Sequence, residues 1–349
     1  ARQELEASEG SSAGLMEAIM NQDWNYQEDG KANQRARDDR LTRNHEKQLK
    51  TVKTLLKRLT GRARRGLEEA IETDHSSWLS AIPLEHLGLD LNRQTFRDAV
   101  ALRMGHDLPD ILPSYCPDCG AEDFDISHAL TCKKGAWVVR RHHEVKRAWT
   151  TLFKEISKHV VDEPVLPPAV PSAITRKSTS TEPGARADIC VRGLFQTQQD
   201  AYLDVVVVDT GCPSNVGKGA LTVLKEAETR KRARYEERVL THGAFAPLAC
   251  SVYGTLAPEA SKIVALVAKG LDDEQKEKMH KITMHRMNLQ IAVIKATSMC
   301  LRSRSSATWF EREAPPDGEV LPNSLHDSEV AVLDAGLRDY QASGQSLAA

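Results

Sequence analysis

The sequence has few aromatic residues and no long apolar run. Phenylalanine, tryptophan and tyrosine make up 5% of the 349 residues, whereas charged residues make up 28%. No apolar stretch reaches the roughly 18 residues that a membrane-spanning helix requires, and no apolar signal segment follows Ala1. We therefore expect a protein that has no membrane among its partners and whose surface is largely charged helix and tail.

Cysteines are also too scarce and too unevenly spaced to form a disulfide framework. Three of the seven lie in one short segment, a pattern typical of metal binding in a reducing intracellular compartment. With one histidine they follow the spacing C-x2-C-x8-H-x3-C, which suits tetrahedral Zn2+ in a closed, structural site. The predicted ligands are Cys116, Cys119, His128 and Cys132. Two histidines just downstream, His142 and His143, are interpreted as polar helix residues.

The net charge of −2 conceals a strongly basic segment near the N-terminus. Residues 31–65 carry thirteen lysines and arginines against three acidic residues. Leucines at helical spacing predict a basic amphipathic helix here, which either follows nucleic-acid phosphates or is an ordinary solvated helix face. The candidate phosphate contacts are Lys50, Lys53, Lys57, Arg58, Arg62, Arg64 and Arg65.

Two β-rich runs, Arg186–Val191 and Tyr202–Asp209, are joined by a polar loop and predict a hairpin. The second run is nearly all valine, which indicates a central strand that is buried on both faces. Asp188 lies near the start of the first run and Asp204 near the start of the second. A carboxylate so placed is costly unless it is paired or binds a cation. The two aspartates are therefore either ligands of Mg2+ or salt-bridged strand and turn residues.

The elements around the hairpin predict a small α/β sandwich. Val138–Val160 has a helical apolar stripe, Ala220–Leu240 is a helix with a dense basic run, and Ala244–Tyr253 is an apolar strand. The resulting order is helix, strand, strand, helix, strand, so that helices can cover a sheet.

This order resembles the PD-(D/E)xK restriction-like endonuclease core. The zinc element ahead of it makes the chain similar, more narrowly, to the C-terminal region of non-LTR retrotransposon proteins of the restriction-like-endonuclease class. The phrases that carry the likeness are Gly184-Ala185-Arg186-Ala187-Asp188-Ile189, Tyr202-Leu203-Asp204-Val205 and Lys231-Arg232-Ala233-Arg234-Tyr235. The likeness covers about Ser76–Leu271. Two residues depart from the family pattern, because Ala187 stands at its proline and Val206 at its usual lysine.

The resemblance implies a Mg2+-dependent endodeoxyribonuclease that hydrolyses phosphodiester bonds. The implied catalytic residues are Glu163, Asp188, Asp204 and Lys231. In this set the two aspartates hold Mg2+ with a main-chain oxygen of Val205, the glutamate orients a water, and the lysine stabilises developing charge. Lys225, on the same helix as the lysine, is an alternative to it. The flanking arginines that would position the nucleic-acid backbone are Arg230, Arg232 and Arg234.

In the family such a nick supplies the 3′ end for target-primed reverse transcription. The resemblance therefore implies a nuclear protein whose partner is DNA, with RNA left open as a second polymer. It also implies an upstream reverse transcriptase domain if the chain is part of a longer polyprotein. Two other interpretations remain open. One is a catalytically degenerate nuclease fold kept for nucleic-acid binding or scaffolding, which Ala187 and Val206 favour, and the other is a helical interaction protein.

The fold that we predict is α/β, with a restriction-endonuclease-like mixed-sheet core, a helical N-terminal region, a CCHC zinc knuckle and C-terminal helices. The predicted segments are a helical basic region at 1–75, a helical platform with the zinc knuckle at 76–137, the nuclease core at 138–271, a C-terminal helix at 272–313 and a mostly disordered tail at 314–349.

Overall fold

The computed structural model describes residues 40–303 with several short gaps. The gaps are 41, 44–45, 48–49, 74–75, 107, 109–111, 123, 171–173 and 272–274, and for residues 271 and 275–279 the backbone alone is described. The chain divides into two compact units, Ala1–Arg304 and Ser305–Ala349, and all described residues belong to the first. The predictions for residues 1–39 and for the tail at 314–349 lie outside the described residues.

A mixed sheet of four strands lies at the centre of the described residues. The strands are β1 (Val160–Asp162), β2 (Ile189–Arg192), β3 (Asp200–Val208) and β4 (Gly243–Ser251). They lie in the order β1-β2-β3-β4, with the first two pairings antiparallel and the pairing of β3 with β4 parallel. The predicted hairpin is therefore β2–β3, and the predicted α/β class with a mixed sheet is confirmed.

The helices pack on both faces of this sheet and around its end. They are α1 (Gly61–Glu72), α2 (Arg93–Met104), α3 (Ile126–Thr131), α4 (Trp137–Lys154), α5 (Ala220–Val239), α6 (Pro258–Leu271) and α7 (Gln275–Arg302). Short 3-10 turns occur at Ser77–Ser80, Glu85–Leu87, Lys134–Ala136 and Pro213–Asn215. Residues 50–58 are also helical. No described helix combines the length and the apolar character needed to cross a membrane.

Strand β3 is central to the fold because its side chains alternate between the two faces of the sheet and pack into two different hydrophobic cores. Leu203 and Val205 pack with the apolar stripe of α4, which includes the fully buried Trp149 and Phe153. On the opposite face Tyr202 packs beside α5 and β4. Since side chains alternate along a strand, Asp204 lies on the α5 face of the sheet.

Helix α7, predicted as a segment of its own, contributes Leu289, Val293 and Ala296 to the core that α4 forms with the sheet. Helix α4 is shorter than predicted, since it ends at Lys154 and Val160 begins β1. Val160 is β-branched and pairs with Val191 in the sheet. This pairing would be lost if the helix continued to Val160.

Helix α1 is joined to the far end of the sheet by buried polar contacts. Glu69 is fully buried and accepts hydrogen bonds from the hydroxyls of Thr210, Ser251 and Thr255. Burial raises the pKa of Glu69, although these three hydrogen bonds oppose the shift. Gly61, the first residue of α1, has φ of +52°, a left-handed conformation that glycine adopts without a steric penalty, and it follows the helical residues 50–58.

Two of the predicted phosphate contacts in α1 face the protein interior instead. Arg62 donates to both carboxylate oxygens of Asp209, at 2.9 and 2.8 Å, and also to the hydroxyls of Ser127 and Tyr253. Arg65 is buried and donates to main-chain carbonyls in the 215–218 loop. The prediction is wrong for these two residues because their guanidinium groups are already occupied by partners within the protein, 65 or more positions away along the chain.

Arg62→Ala should lower the free energy of unfolding by about 3–5 kcal/mol, because it leaves the buried carboxylate of Asp209 without a countercharge. The side chain of Asp209 is 1% exposed. Arg64→Ala, on the same helix, is the matched control. Its half-exposed pair with Glu68 should cost at most about 0.5 kcal/mol. Urea unfolding measures both changes, and equal losses in the two variants would contradict the prediction.

Candidate functional site

Three carboxylates lie at the same level of three neighbouring strands. Strand pairing aligns Ile189 of β2 with Leu203 of β3. Continued by one residue, the pairing places Asp188 opposite Asp204, and Glu163, just after β1, opposite Asp188. Hydrogen bonds from Glu163 N to Asp188 O, at 3.0 Å, and from Asp188 N to Leu203 O, at 3.1 Å, continue the ladder to this level. The fold thus brings together all three acids of the predicted site.

Asp204 is the most deeply buried of the three, with 4% of its surface exposed. The Lys231 Nζ, which reaches it from α5, lies 2.6 Å from Asp204 Oδ2. This approach is an ion pair at an unfavourable angle, since Oδ2 has no hydrogen bond of normal geometry. Burial raises the pKa of Asp204, and the charge of Asp188 adds to this shift while Lys231 opposes it. Burial would lower the pKa of Lys231, but Asp204 raises it overall, so that the amine is charged at neutral pH.

Asp188 accepts one hydrogen bond at each carboxylate oxygen. His142 Nε2 lies 2.9 Å from Oδ1, and the main-chain N–H of Val205 donates to Oδ2 at 2.6 Å. Burial alone would raise the pKa of Asp188, but the contacts with His142, Val205 and Lys231 together lower it. The carboxylate is therefore ionised at neutral pH. The main-chain N–H of Val205 thus contacts the site, and the role that the resemblance implies for its main-chain oxygen stays a prediction.

Glu163 follows β1 in a left-handed conformation, with φ of +48°. Its carboxylate is bound by the Lys146 Nζ of α4, at 2.8 Å. This hydrogen bond lowers the pKa of Glu163. Lys146 is almost fully buried and also contacts Asp162 at 3.1 Å. Glu163 thus belongs to the row of acids while its side chain is paired with a lysine of α4.

His142 is the site residue that the sequence interpretation missed. The sequence interpretation makes it a polar helix residue, whereas in the structure its ring contacts Asp188. The available signal was its spacing, because His142 and Lys146 are one turn apart on a helix that buries Val145 and Trp149. Residues three or four positions apart lie on the same side of a helix, so that basic residues next to the buried stripe of α4 lie near the strands on which the stripe packs.

The basic residues of α5 divide into inward and outward groups. Lys231 contacts Asp204, whereas the alternative Lys225 is exposed. Arg232 is bound to Glu236 and Glu259, so its charge is paired within the protein, and its role in positioning nucleic acid stays a prediction. The two arginines that remain exposed on this helix are Arg230 and Arg234. On the N-terminal helix the exposed candidates are Lys50, Lys53, Lys57 and Arg58.

The four predicted zinc ligands also come together in the structure. One ligand atom from each of Cys116, Cys119, His128 and Cys132 lies within 4.8 Å of the others. The Sγ atoms of Cys116 and Cys132 are 4.0 Å apart, and Cys119 Sγ lies 3.2 Å from His128 Nε2. Zn–S bonds of about 2.3 Å in a tetrahedral site separate two sulfur ligands by about 3.8 Å. The cluster therefore fits a tetrahedral metal such as zinc.

Local structure holds this cluster in place. Cys116 exchanges main-chain hydrogen bonds with Gly120 and Ala121, which closes a turn around the first two ligands. The side chain of Asp125 caps α3 by accepting from the main-chain N–H of His128 at 2.7 Å. Gly135, just before α4, passes so close to the carboxylate of Asp118 that a Cβ there would clash with it. The metal cluster is thus joined directly to the start of α4.

The chain matches no family model, and no curated protein matches it.

Cys116→Ala should abolish zinc binding, because a structural site needs all four ligands. The wild-type chain should contain about one zinc ion, and the variant should lose this zinc and melt at a lower temperature. Cys212→Ala removes a partly exposed thiol outside the cluster and should retain the metal. Elemental analysis of the purified proteins measures the zinc content. Unchanged zinc in Cys116→Ala would rule out this cluster as the metal site.

Proposed function

We propose that this protein is a metal-dependent endonuclease that hydrolyses phosphodiester bonds in DNA. The observation that supports this function best is the opposition of Asp188 and Asp204 on paired strands, with the Lys231 ammonium 2.6 Å from Asp204. Two aspartates that converge from adjacent strands, with a lysine beside them, are the groups that phosphodiester hydrolysis with a divalent cation requires.

The donor set fits a magnesium-type cation. Both aspartates offer hard carboxylate oxygens, which Mg2+ prefers. Asp204 Oδ2 is buried and makes no hydrogen bond of normal geometry, and a cation bound to it would share this oxygen with the Lys231 ammonium. Each oxygen of Asp188 accepts one hydrogen bond and keeps a second lone pair for a ligand. Asp188 and Asp204 are therefore the residues that would hold the ion.

A divalent cation at this position would polarise the scissile phosphate and lower the pKa of a water. The residues of the chain would do the remaining work. Lys231, charged and close to Asp204, lies where it can stabilise the negative charge that develops on the phosphate oxygens. Lys146 holds Glu163 beside Asp188, so that the third carboxylate is available to orient a water at the edge of the site.

Exposed basic residues favour nucleic acid as the substrate. Arg230 and Arg234 lie on α5, on either side of Lys231 in the sequence, and both are exposed. Arg234 also lies over the ring of Tyr235 at 5.3 Å. Guanidinium groups at such positions can bind the phosphates that flank a scissile bond. A role in nicking DNA for reverse transcription, in the nucleus, is part of this proposal and rests on the sequence resemblance.

A binding protein without nuclease activity is the second candidate. One observation favours it, because the Lys231 ammonium already neutralises Asp204 at 2.6 Å. A site whose charge is balanced by its own lysine needs no cation for stability. Ala187 and Val206, which depart from the nuclease pattern, are consistent with this candidate as well.

Asp204→Asn should reduce Mg2+-dependent nicking of duplex DNA by about 100-fold or more, since it removes a ligand charge. Lys231→Ala should cause a loss of similar size. Asp200→Asn is the matched control, because Asp200 lies on the same strand but is paired with Arg192. Conversion of supercoiled plasmid to its nicked form measures the rate, with chelated samples as blanks. Equal rates in all four proteins would exclude the nuclease, and DNA binding without cutting would support the second candidate.

The double variant Arg230→Ala/Arg234→Ala should weaken DNA binding and reduce its dependence on salt. Each phosphate contact contributes about 0.9 to the slope of log K against log salt concentration, so that the slope should fall by nearly two. The control is Arg147→Ala/Lys154→Ala, which removes two exposed charges of α4 and should leave the slope unchanged. Fluorescence anisotropy of a labelled duplex at several salt concentrations measures it. Equal slopes in both double variants would contradict the assignment to α5.

A further inference from the structure

We propose that His142 is a positioning residue that fixes the carboxylate of Asp188 for cation binding. This inference rests on the proposed function and adds to it a residue of α4 that the sequence pattern leaves out. The observation that carries it is the distance of 2.9 Å between His142 Nε2 and Asp188 Oδ1.

The direction of this hydrogen bond follows from the chemistry of the two groups. An ionised carboxylate can only accept hydrogen bonds, so that His142 Nε2 carries the hydrogen and donates it. The other oxygen of Asp188 accepts from the Val205 N–H at 2.6 Å. One donor at each oxygen fixes the rotation of the carboxylate about its terminal bond. The remaining lone pairs then point in a constant direction, which a cation site requires.

The packing of α4 against the sheet holds His142 in its position. Helix α4 buries Val145 and Trp149 in the core against the sheet. One turn after His142, Lys146 binds Glu163 at 2.8 Å. The ring of His143 lies edge-on to that of His142, with centroids 5.7 Å apart. The apolar stripe sets the rotation of the helix, and the two basic side chains reach acids from consecutive strands.

These contacts distinguish a positioning role from the two simpler roles. An ordinary polar helix residue would face solvent, whereas the His142 side chain is 28% exposed and its donor faces an acid that is 18% exposed. A direct metal ligand would need a nitrogen lone pair on the side of the cation, whereas Nε2 carries the hydrogen that Asp188 accepts. Supporting groups that orient a ligand in this way typically change metal affinity by 10- to 100-fold when they are removed.

Mn2+ binding to the full chain, without nucleic acid, tests this role independently of cleavage. The electron paramagnetic resonance signal of free Mn2+ gives the dissociation constant for each protein. His142→Ala should bind Mn2+ about 10- to 100-fold more weakly than the wild type. His142→Gln places an amide donor near the position of Nε2, and it should recover most of the lost affinity. His242→Gln, which changes an exposed histidine just before β4, is the matched control and should bind Mn2+ like the wild type.

The outcomes separate this inference from the proposed function. If Asp188→Asn weakens Mn2+ binding but His142→Ala does not, the positioning role is overturned and the metal site stands. If His142→Ala and His142→Gln are weakened equally, His142 is a ligand and the positioning role is again overturned. If neither Asp188→Asn nor Asp204→Asn changes Mn2+ binding, both the cation site and the inference fail. Thermal unfolding of each variant confirms that it is folded before the titration.

Discussion

Mutual repulsion among three carboxylates is the constraint around which this structure is arranged. Glu163, Asp188 and Asp204 lie at one level of adjacent strands, where their charges would oppose burial. Each is matched by a basic side chain, from Lys146, His142 and Lys231 respectively. The first two bases come from α4 and the third from α5, which lie on opposite faces of the sheet. Both helices are therefore needed to supply these partners.

The same constraint bears on the position of the Cys/His cluster. Helix α4 carries two of the three bases, so a small rotation of it would separate both from their acids. Its buried stripe fixes it against the sheet, while its start follows the cluster through the tight approach of Gly135 to Asp118. A four-ligand metal site stabilises a segment that buries little apolar surface. The cluster thus adds to the packing of Trp137 and Val138, at the start of α4, against the core that contains Ala129 and Leu130.

The sequence was most informative where a local pattern determines the structure. The valine run of β3 predicted a central strand, and the spacing of Cys116, Cys119, His128 and Cys132 predicted the cluster that the structure forms. Lys231, rather than Lys225, could be selected only by the resemblance, because both are lysines on one helix. Where a side chain finds its partner far along the chain, the pattern gave little information. Arg62 and Asp209 are 147 positions apart, and nothing near Arg62 distinguishes it from the exposed Arg64.

The balance of charge at the site also bears on how a cation and a nucleic acid would bind together. Three carboxylates face two lysines and one histidine, so that without a ligand each acid already has a partner within the protein. A divalent cation that binds Asp204 competes with the Lys231 ammonium, which lies 2.6 Å away and repels it. A phosphate brought into the site adds negative charge and gives the ammonium a second anion to bind. If the proposed site binds both, cation and phosphate would favour each other's binding through Lys231, and the cation would bind more tightly when a nucleic-acid backbone is present.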